Sequence, residues 1–274
     1  MDLSGVLEIA GRTDTGMVRQ QNEDSVGESS ELGAVVVADG MGGYASGEVA
    51  SAIAVNTVLN YLHEKLPDTP PGQFDEETGF SLESIHLREA IKRANETIFD
   101  AANKHSDYNG MGTTIVMGLF HDNRLTIAHV GDSRIYRVRN NKMERMTSDH
   151  NLLQELVDRG FYSQEEAETS LSKNLVTRAL GIERSVAVDI TEVEVLPNDL
   201  FALCSDGPHD MVDDEDILLT INTFNDNLPK LAEKLVALAN ESGGRDNISV
   251  VLSRARMAFP ANKPWHKKVM DLLF

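Results

Sequence analysis

Five short acidic stretches hold the residues with the clearest chemical potential: Asn22-Glu23-Asp24, Asp39-Gly40-Met41-Gly42-Gly43, Gly131-Asp132-Ser133-Arg134, Cys204-Ser205-Asp206-Gly207 and Gly243-Gly244-Arg245-Asp246-Asn247. Four of them lie where an apolar segment meets a turn, and the fifth lies between two expected strands. Carboxylates at strand ends on glycine turns can converge on a hard cation. Mg²⁺ and Mn²⁺ prefer oxygen ligands, and glycine lets a backbone carbonyl come close. Taken singly, each stretch also reads as an ordinary Asp-Gly turn. Five in one chain argue for a shared site.

The elements around these stretches follow from periodicity. The run Ala34-Val-Val-Val-Ala38 is apolar without alternation, which suits a strand buried on both faces, and it ends at Asp39. Helical spacing of Ala52, Val55, Leu59, Leu62 and Leu66 predicts a helix over 46–66, stopped by Pro67. Leu87, Ile91, Ala94, Ile98 and Ala102 predict a second helix, begun near Ser81 and Ser84. Strand-like segments follow over 113–120, 125–130, 135–139 and 143–147. Asp122-Asn123 and Asn140-Asn141 stand at hairpin positions, so an antiparallel meander is expected. Residues 150–175 turn helical again, with a Ser163/Glu166 capping box. Alternation over 186–195, the run Leu200–Cys204, a helix over 228–239 and a strand over 248–253 complete the order. Strands and helices in blocks, without regular βαβ alternation, favour an α+β fold with antiparallel sheets.

Composition narrows the function. The 274 residues carry 25 Lys and Arg against 44 Asp and Glu, a formal charge of −19 that repels nucleic acid and anionic lipid over most of the surface. Cys204 is the single cysteine and cannot pair within the chain, so a cytoplasmic setting is expected. Charged residues from Asp2 to Arg19 leave no room for a signal peptide, and no apolar run suits a membrane helix. No repeat or linker divides the sequence. Residues 1–256 are therefore expected to form one domain, followed by a tail over 257–274.

In order along the chain, Arg19-Gln-Gln-Asn-Glu-Asp24, Asp39-Gly-Met-Gly-Gly43, Gly112-Thr-Thr114, Gly131-Asp-Ser-Arg134, Thr147-Ser-Asp-His150, Thr177-Arg-Ala-Leu-Gly181, Ser205-Asp-Gly207 and Gly244-Arg-Asp-Asn247 resemble the metal-dependent Ser/Thr protein phosphatases of the PP2C type, in their bacterial form. The resemblance implies a central antiparallel β-sandwich flanked by helices and hydrolysis of phosphoserine and phosphothreonine in proteins. The attacking water would bridge two Mn²⁺ or Mg²⁺ ions. It implies that Asp39 bridges the ions, that Glu23 and the Gly40 carbonyl hold the second, and that Asp206 and Asp246 hold the first. Asp132 with Asp206 matches a third, weaker metal site. Asp24 would hold metal-bound waters, and Arg19 would clamp substrate phosphate. Residues 151–174 correspond to the flap beside the active site. A Ser/Thr kinase is implied as the opposing enzyme, acting on the same phosphoprotein substrates, and a monomer suffices.

Some residues depart from the family pattern. Met41 stands where eukaryotic members carry a histidine thought to protonate the leaving alcohol, so no leaving-group acid is assigned. Pro208 and His209 replace the usual Leu-Thr, and His209, three residues past Asp206, is a candidate proton donor. The sequence lacks the Cys-x5-Arg loop of tyrosine phosphatases, the phosphate-binding loop of nucleotide hydrolases and the His-Glu-x-x-His zinc motif. Gly131-Asp-Ser133 with Asp206-x-x-His209 is shared with a class of serine esterases, but there the serine lies near the N-terminus and opens a helix. The other alternative is a catalytically silent, phosphatase-like module that binds phosphoproteins or regulates a partner. In the tail, Trp265, Val269, Leu272 and Leu273 fall at helical spacing among lysines, a pattern that could dock on a partner or a membrane surface.

Overall fold

The computed structural model describes residues 2–42, 46–163 and 175–261. Gly43, residues 164–174 of the expected flap, Glu166 of the expected capping box and tail residues 262–274 lie outside them. The chain begins with β1 (Leu7–Asp14), β2 (Asp24–Ser29) and β3 (Ala34–Met41), then helices α1 (Ser46–Lys65) and α2 (Leu82–Lys104). Next come β4 (Gly112–Thr113), β5 (Ile115–His121), β6 (Arg124–Val130), β7 (Arg134–Arg139), β8 (Lys142–Arg145) and the short α3 (Leu152–Asp158). The last third holds β9 (Asp189–Glu194), β10 (Leu200–Cys204), α4 (Asp206–Met211), α5 (Asp214–Phe224), α6 (Leu228–Glu241) and β11 (Ile248–Ala255).

Two antiparallel sheets face one another. One runs β1-β11-β10-β7-β8 and the other β2-β3-β5-β6-β9, with β4 added on β3. Three apolar layers hold them. Val35, Val37, Val116, Phe120, Phe201, Leu203 and Val251 fill the space between the sheets. Ala34, Val36 and Ala38 face the opposite way, onto α1 and α2 through Ala50, Ala54, Val58, Leu87, Ile91 and Ile98. The uninterrupted Ala34–Ala38 run is thereby explained, since alternate side chains enter two different cores. On the outer face of the other sheet, Tyr136, Ala202, Val250 and Leu252 pack under Leu228, Leu231, Ala232 and Leu235 of α6. The order of layers is helix, sheet, sheet, helix.

The meander expectation needs correction. Both hairpins form on the expected turns, with positive φ at Asp122, Asn123, Asn140 and Asn141, as tight antiparallel turns require. The chain, however, leaves one sheet at Val130 and enters the other at Arg134. Gly131, with φ of 110°, makes that crossing, and a Cβ there would meet the Thr114 side chain. Asp132 lies on the connection that makes this crossing. Strands β1 and β2 and helices α4 and α5 are missing from the sequence reading. Their alternation is interrupted by Gly11, Gly27 and Gly207 and by acidic residues whose partners are distant in the chain.

Candidate active site

Both sheets contribute carboxylates at one end of the sandwich. Asp24 opens β2 and pairs across the ladder with Asp39 near the end of β3. Asp206 follows β10 at the start of α4, and Asp246 precedes β11 in the other sheet. The loop between β6 and β7 brings in Asp132. The backbone around Asp39 is pinned from three directions. Thr114 N–H and the Thr113 hydroxyl each donate to the Asp39 carbonyl at 2.8 Å, and Gly40 N–H donates to the Glu23 carbonyl at 3.1 Å. Gly40 admits no side chain, because a Cβ would strike the Gly47 carbonyl oxygen.

Two residues missed as functional groups brace the loops. Asn247 accepts Glu23 N–H at 2.8 Å and donates its amide to the Thr15 and Gln21 carbonyls at 3.0 and 2.9 Å, tying the 15–23 loop to β11. Ser205 donates its hydroxyl to Asp24 at 2.9 Å and accepts Ser249 N–H at 3.1 Å. Both residues stand inside quoted motifs, but their partners lie 181 to 232 positions away, or across a strand pair, and no local spacing announces them.

The electrostatics of the cluster are one-sided. Burial, followed by repulsion from Asp24, Asp206, Asp132 and Asp246, holds the Asp39 carboxyl well above the usual range. Burial and then Asp132 and Asp246 do the same to Asp206. Burial is the first cause for Asp24 and Asp132 as well, each pushed up to about 6, and for the smaller rise at Glu23. Asp24 Oδ1 is buried without a hydrogen-bond partner. Arg19 brings one positive charge to the rim, its Nη2 2.6 Å from Asp246. Several buried carboxylates, an orphaned carboxylate oxygen and one exposed guanidinium make a donor set that suits hard dications.

The structure also bears on His209. Its side chain is only 4% exposed, and neither ring nitrogen has a hydrogen-bond partner. Burial lowers its pKa and keeps the ring neutral. A donor to a leaving alcohol must reach substrate, and this buried ring, with Asp210 Oδ1 3.6 Å from Nδ1, gives the proton-donor expectation no support. Pro208 sits in the first turn of α4, where a missing N–H costs little.

A second group, His129, His150 and Asp189, also brings ligand atoms within 4.8 Å of one another. Its atoms already have other roles. His129 Nε2 lies 2.8 Å from the Ser148 carbonyl, His150 Nδ1 accepts Gly131 N–H at 3.0 Å, and Arg178 donates to Asp189 at 2.6 Å. Nearby, Arg134 meets Asp149 through Nε at 3.0 Å and Nη2 at 2.6 Å. The Thr147–His150 and Thr177–Gly181 motifs therefore build charge-matched supports beside the acidic centre.

Comparison with known proteins agrees with this geometry. The protein phosphatase 2C family profile matches residues 12–252. The serine/threonine phosphatase stp of Listeria welshimeri is 38% identical over 247 residues, which cover 88% of this chain and 93% of that protein. The crystal structure of the Mycobacterium tuberculosis serine/threonine phosphatase PstP/Ppp superposes with a TM-score of 0.80 at 36% identity, covering 91% of this chain and 99% of that one. A structure of the PstP catalytic domain in complex with two manganese ions gives 0.77 at 36% identity, covering 91% and 98%.

Proposed function

The chain belongs to the protein phosphatase 2C family, and from that premise we propose that it hydrolyses phosphoserine and phosphothreonine in proteins with Mn²⁺ or Mg²⁺ bound in the acidic centre. The observation that carries this reading is the convergence of Asp24, Asp39, Asp132, Asp206 and Asp246 with too little positive charge to balance them. Asp39, Glu23 and the Gly40 carbonyl would hold one ion, Asp39, Asp206 and Asp246 the other, and Asp132 with Asp206 a third. When bound, the dications supply the positive charge that offsets a phosphate dianion and activates a water for attack at phosphorus.

The chain's own residues then orient the reactants. Arg19 lies exposed at the rim, and its planar fork of donors matches phosphoryl oxygens. Asp24, fixed by Ser205 through Oδ2, leaves Oδ1 as an inward-facing acceptor able to align a water proton. Asn247 and the Thr113-Thr114 pair keep the Glu23 and Asp39 backbones from drifting apart, which matters because misplacement of about 1 Å can cost about 10²-fold in rate.

The same reading makes residues 1–256 the catalytic domain with a flap over 151–174, and 257–274 a tail. It places the protein in the cytoplasm as a monomer, in signalling opposite a Ser/Thr kinase. Its support is the single, buried Cys204 thiol, the family match over 12–252 and the names of the relatives. Among the described residues no helix is long and apolar enough to cross a membrane. The test is hydrolysis of a phosphothreonine peptide by protein stripped with EDTA and then titrated with Mn²⁺ or Mg²⁺. Turnover restored by metal and absent from Asp206→Ala is expected. Mn²⁺ binding without turnover on several phosphopeptides would favour a silent phosphoprotein-binding module.

A further inference from the structure

His150 holds both sides of the turn that presents Asp132. Its ring Nδ1 accepts Gly131 N–H at 3.0 Å, and its own backbone N–H donates to the Gly131 carbonyl at 2.9 Å. That carbonyl belongs to the peptide joining Gly131 to Asp132, so its plane is fixed where the chain crosses between sheets. Because a backbone N–H can only donate, Nδ1 must carry a lone pair and the ring proton must sit on Nε2. With the proton there, Nε2 donates toward Asp189 Oδ2 at 3.2 Å, and Arg178 Nη1, although 3.1 Å from Nε2, directs its proton to the other carboxylate oxygen of Asp189 at 2.6 Å. The His129 ring stacks on His150 with centroids 4.6 Å apart and planes within 17°. Burial, then His129 and Arg178, lowers the His150 pKa to about 4, so the acceptor persists at neutral pH. On the far side of Asp132, Ser133 shares a 2.7 Å hydrogen bond with Thr114, and Arg134 is forked by Asp149. Asp132 itself forms none of these bonds.

We propose that His150 is a positioning residue for Asp132: by accepting Gly131 N–H at Nδ1 and donating its backbone N–H to the Gly131 carbonyl, it aims the Asp132 carboxylate at the acidic centre and sets the affinity of the ion that Asp132 holds. The inference rests on the metal-phosphatase reading above. Asp189 and Arg178 enter through the tautomer, a role that outer partners commonly play around metal ligands.

The test uses the full chain and Mn²⁺ alone, titrated by calorimetry into metal-stripped protein. Asparagine places its amide oxygen where Nδ1 stands, whereas glutamine reaches toward the position of Nε2. His150→Gln is expected to weaken the weakest bound Mn²⁺ about 10-fold, while His150→Asn stays near the unsubstituted protein. In an Asp132→Ala background, adding His150→Gln should change Mn²⁺ binding no further, because residues acting through one another are not additive. Equal damage from Asn and Gln would overturn the proposal, as would a further loss in the Asp132→Ala background. Asp132→Ala without effect on Mn²⁺ binding would also overturn it, since His150 would then have no ligand to position. Turnover of a phosphothreonine peptide by the unsubstituted protein with Mn²⁺ stands apart from these outcomes and tests the phosphatase reading alone.

Discussion

Asp132 and Asp149 are equally buried, each 6% exposed, and belong to neighbouring parts of the molecule, yet their carboxyls are shifted in opposite directions. Burial works to raise the Asp149 carboxyl, but the Arg134 fork, with Arg145 close by, outweighs it and holds Asp149 below its ordinary range. Asp132 is pushed up to about 6, by burial and then by Asp149 and Asp210. The first belongs to a support whose charges are matched inside the protein. The second belongs to a centre whose charges await a partner from outside. Burial alone thus does not identify a functional carboxylate. The missing counter-charge does.

The largest effect is expected at the matched half. Asp149→Ala strands the Arg134 guanidinium and should cost about 3–5 kcal/mol of stability in denaturant unfolding. A loss near zero would remove the contrast. Asp39→Asn should do the reverse to the metal-free fold at neutral pH, stabilising it by removing a repelled charge, while lowering metal-supported turnover by at least about 10²–10³-fold, the scale of one lost electrostatic stabiliser. A pH series sharpens the same point. The raised carboxyls hold protons in the folded chain that the unfolded chain has already released. Their contribution to stability is therefore full below the ordinary carboxylate pKa near 4 and is lost as pH rises through about 6. Mn²⁺ at about 100 times its dissociation constant adds about 2.7 kcal/mol, roughly 5–10 °C in melting temperature for a domain of this size. That increment should be larger at neutral pH than at about pH 5, where protons compete for the ligands. A pH-independent increment would place the ion elsewhere.

Smaller effects belong to the rim and the interior. Arg19→Lys keeps the charge but loses the fork, and should raise KM about 10-fold with less change in kcat, as expected for one charged hydrogen bond. His209→Leu should leave turnover across neutral pH unchanged, since the ring is buried. A lost basic limb in the pH–rate profile would restore it as a proton donor.

Parts of the centre were legible because Asp39 and Asp206 each follow an apolar, strand-like run, and that pattern is local. Asp39 after Ala34–Ala38 and Asp206 after Leu200–Cys204 needed no knowledge of the partner strand. The fold class was legible for the same reason, since blocks of period two and period 3.6 can be counted. The sheet crossing at Gly131 was not, because a glycine between two strand-like runs reads equally as a hairpin turn or as a change of sheet. Asn247, Ser205 and His150 have roles set by groups brought together only by folding. The Ser-to-Asp contact at Asp24 spans 181 positions, and the bond from Gly131 to His150 spans 19 across a change of sheet. For His209, its distance from Asp206 in sequence does not say whether the ring is exposed, and the structure buries it.

Calorimetric titration of Mn²⁺ into EDTA-stripped protein near neutral pH asks whether dications complete the acidic centre. Saturable binding of at least two ions is expected, with release of protons from the raised carboxyls, abolished or reduced to a single weak event in Asp39→Asn. No saturable binding, or equal binding in Asp39→Asn, would contradict it.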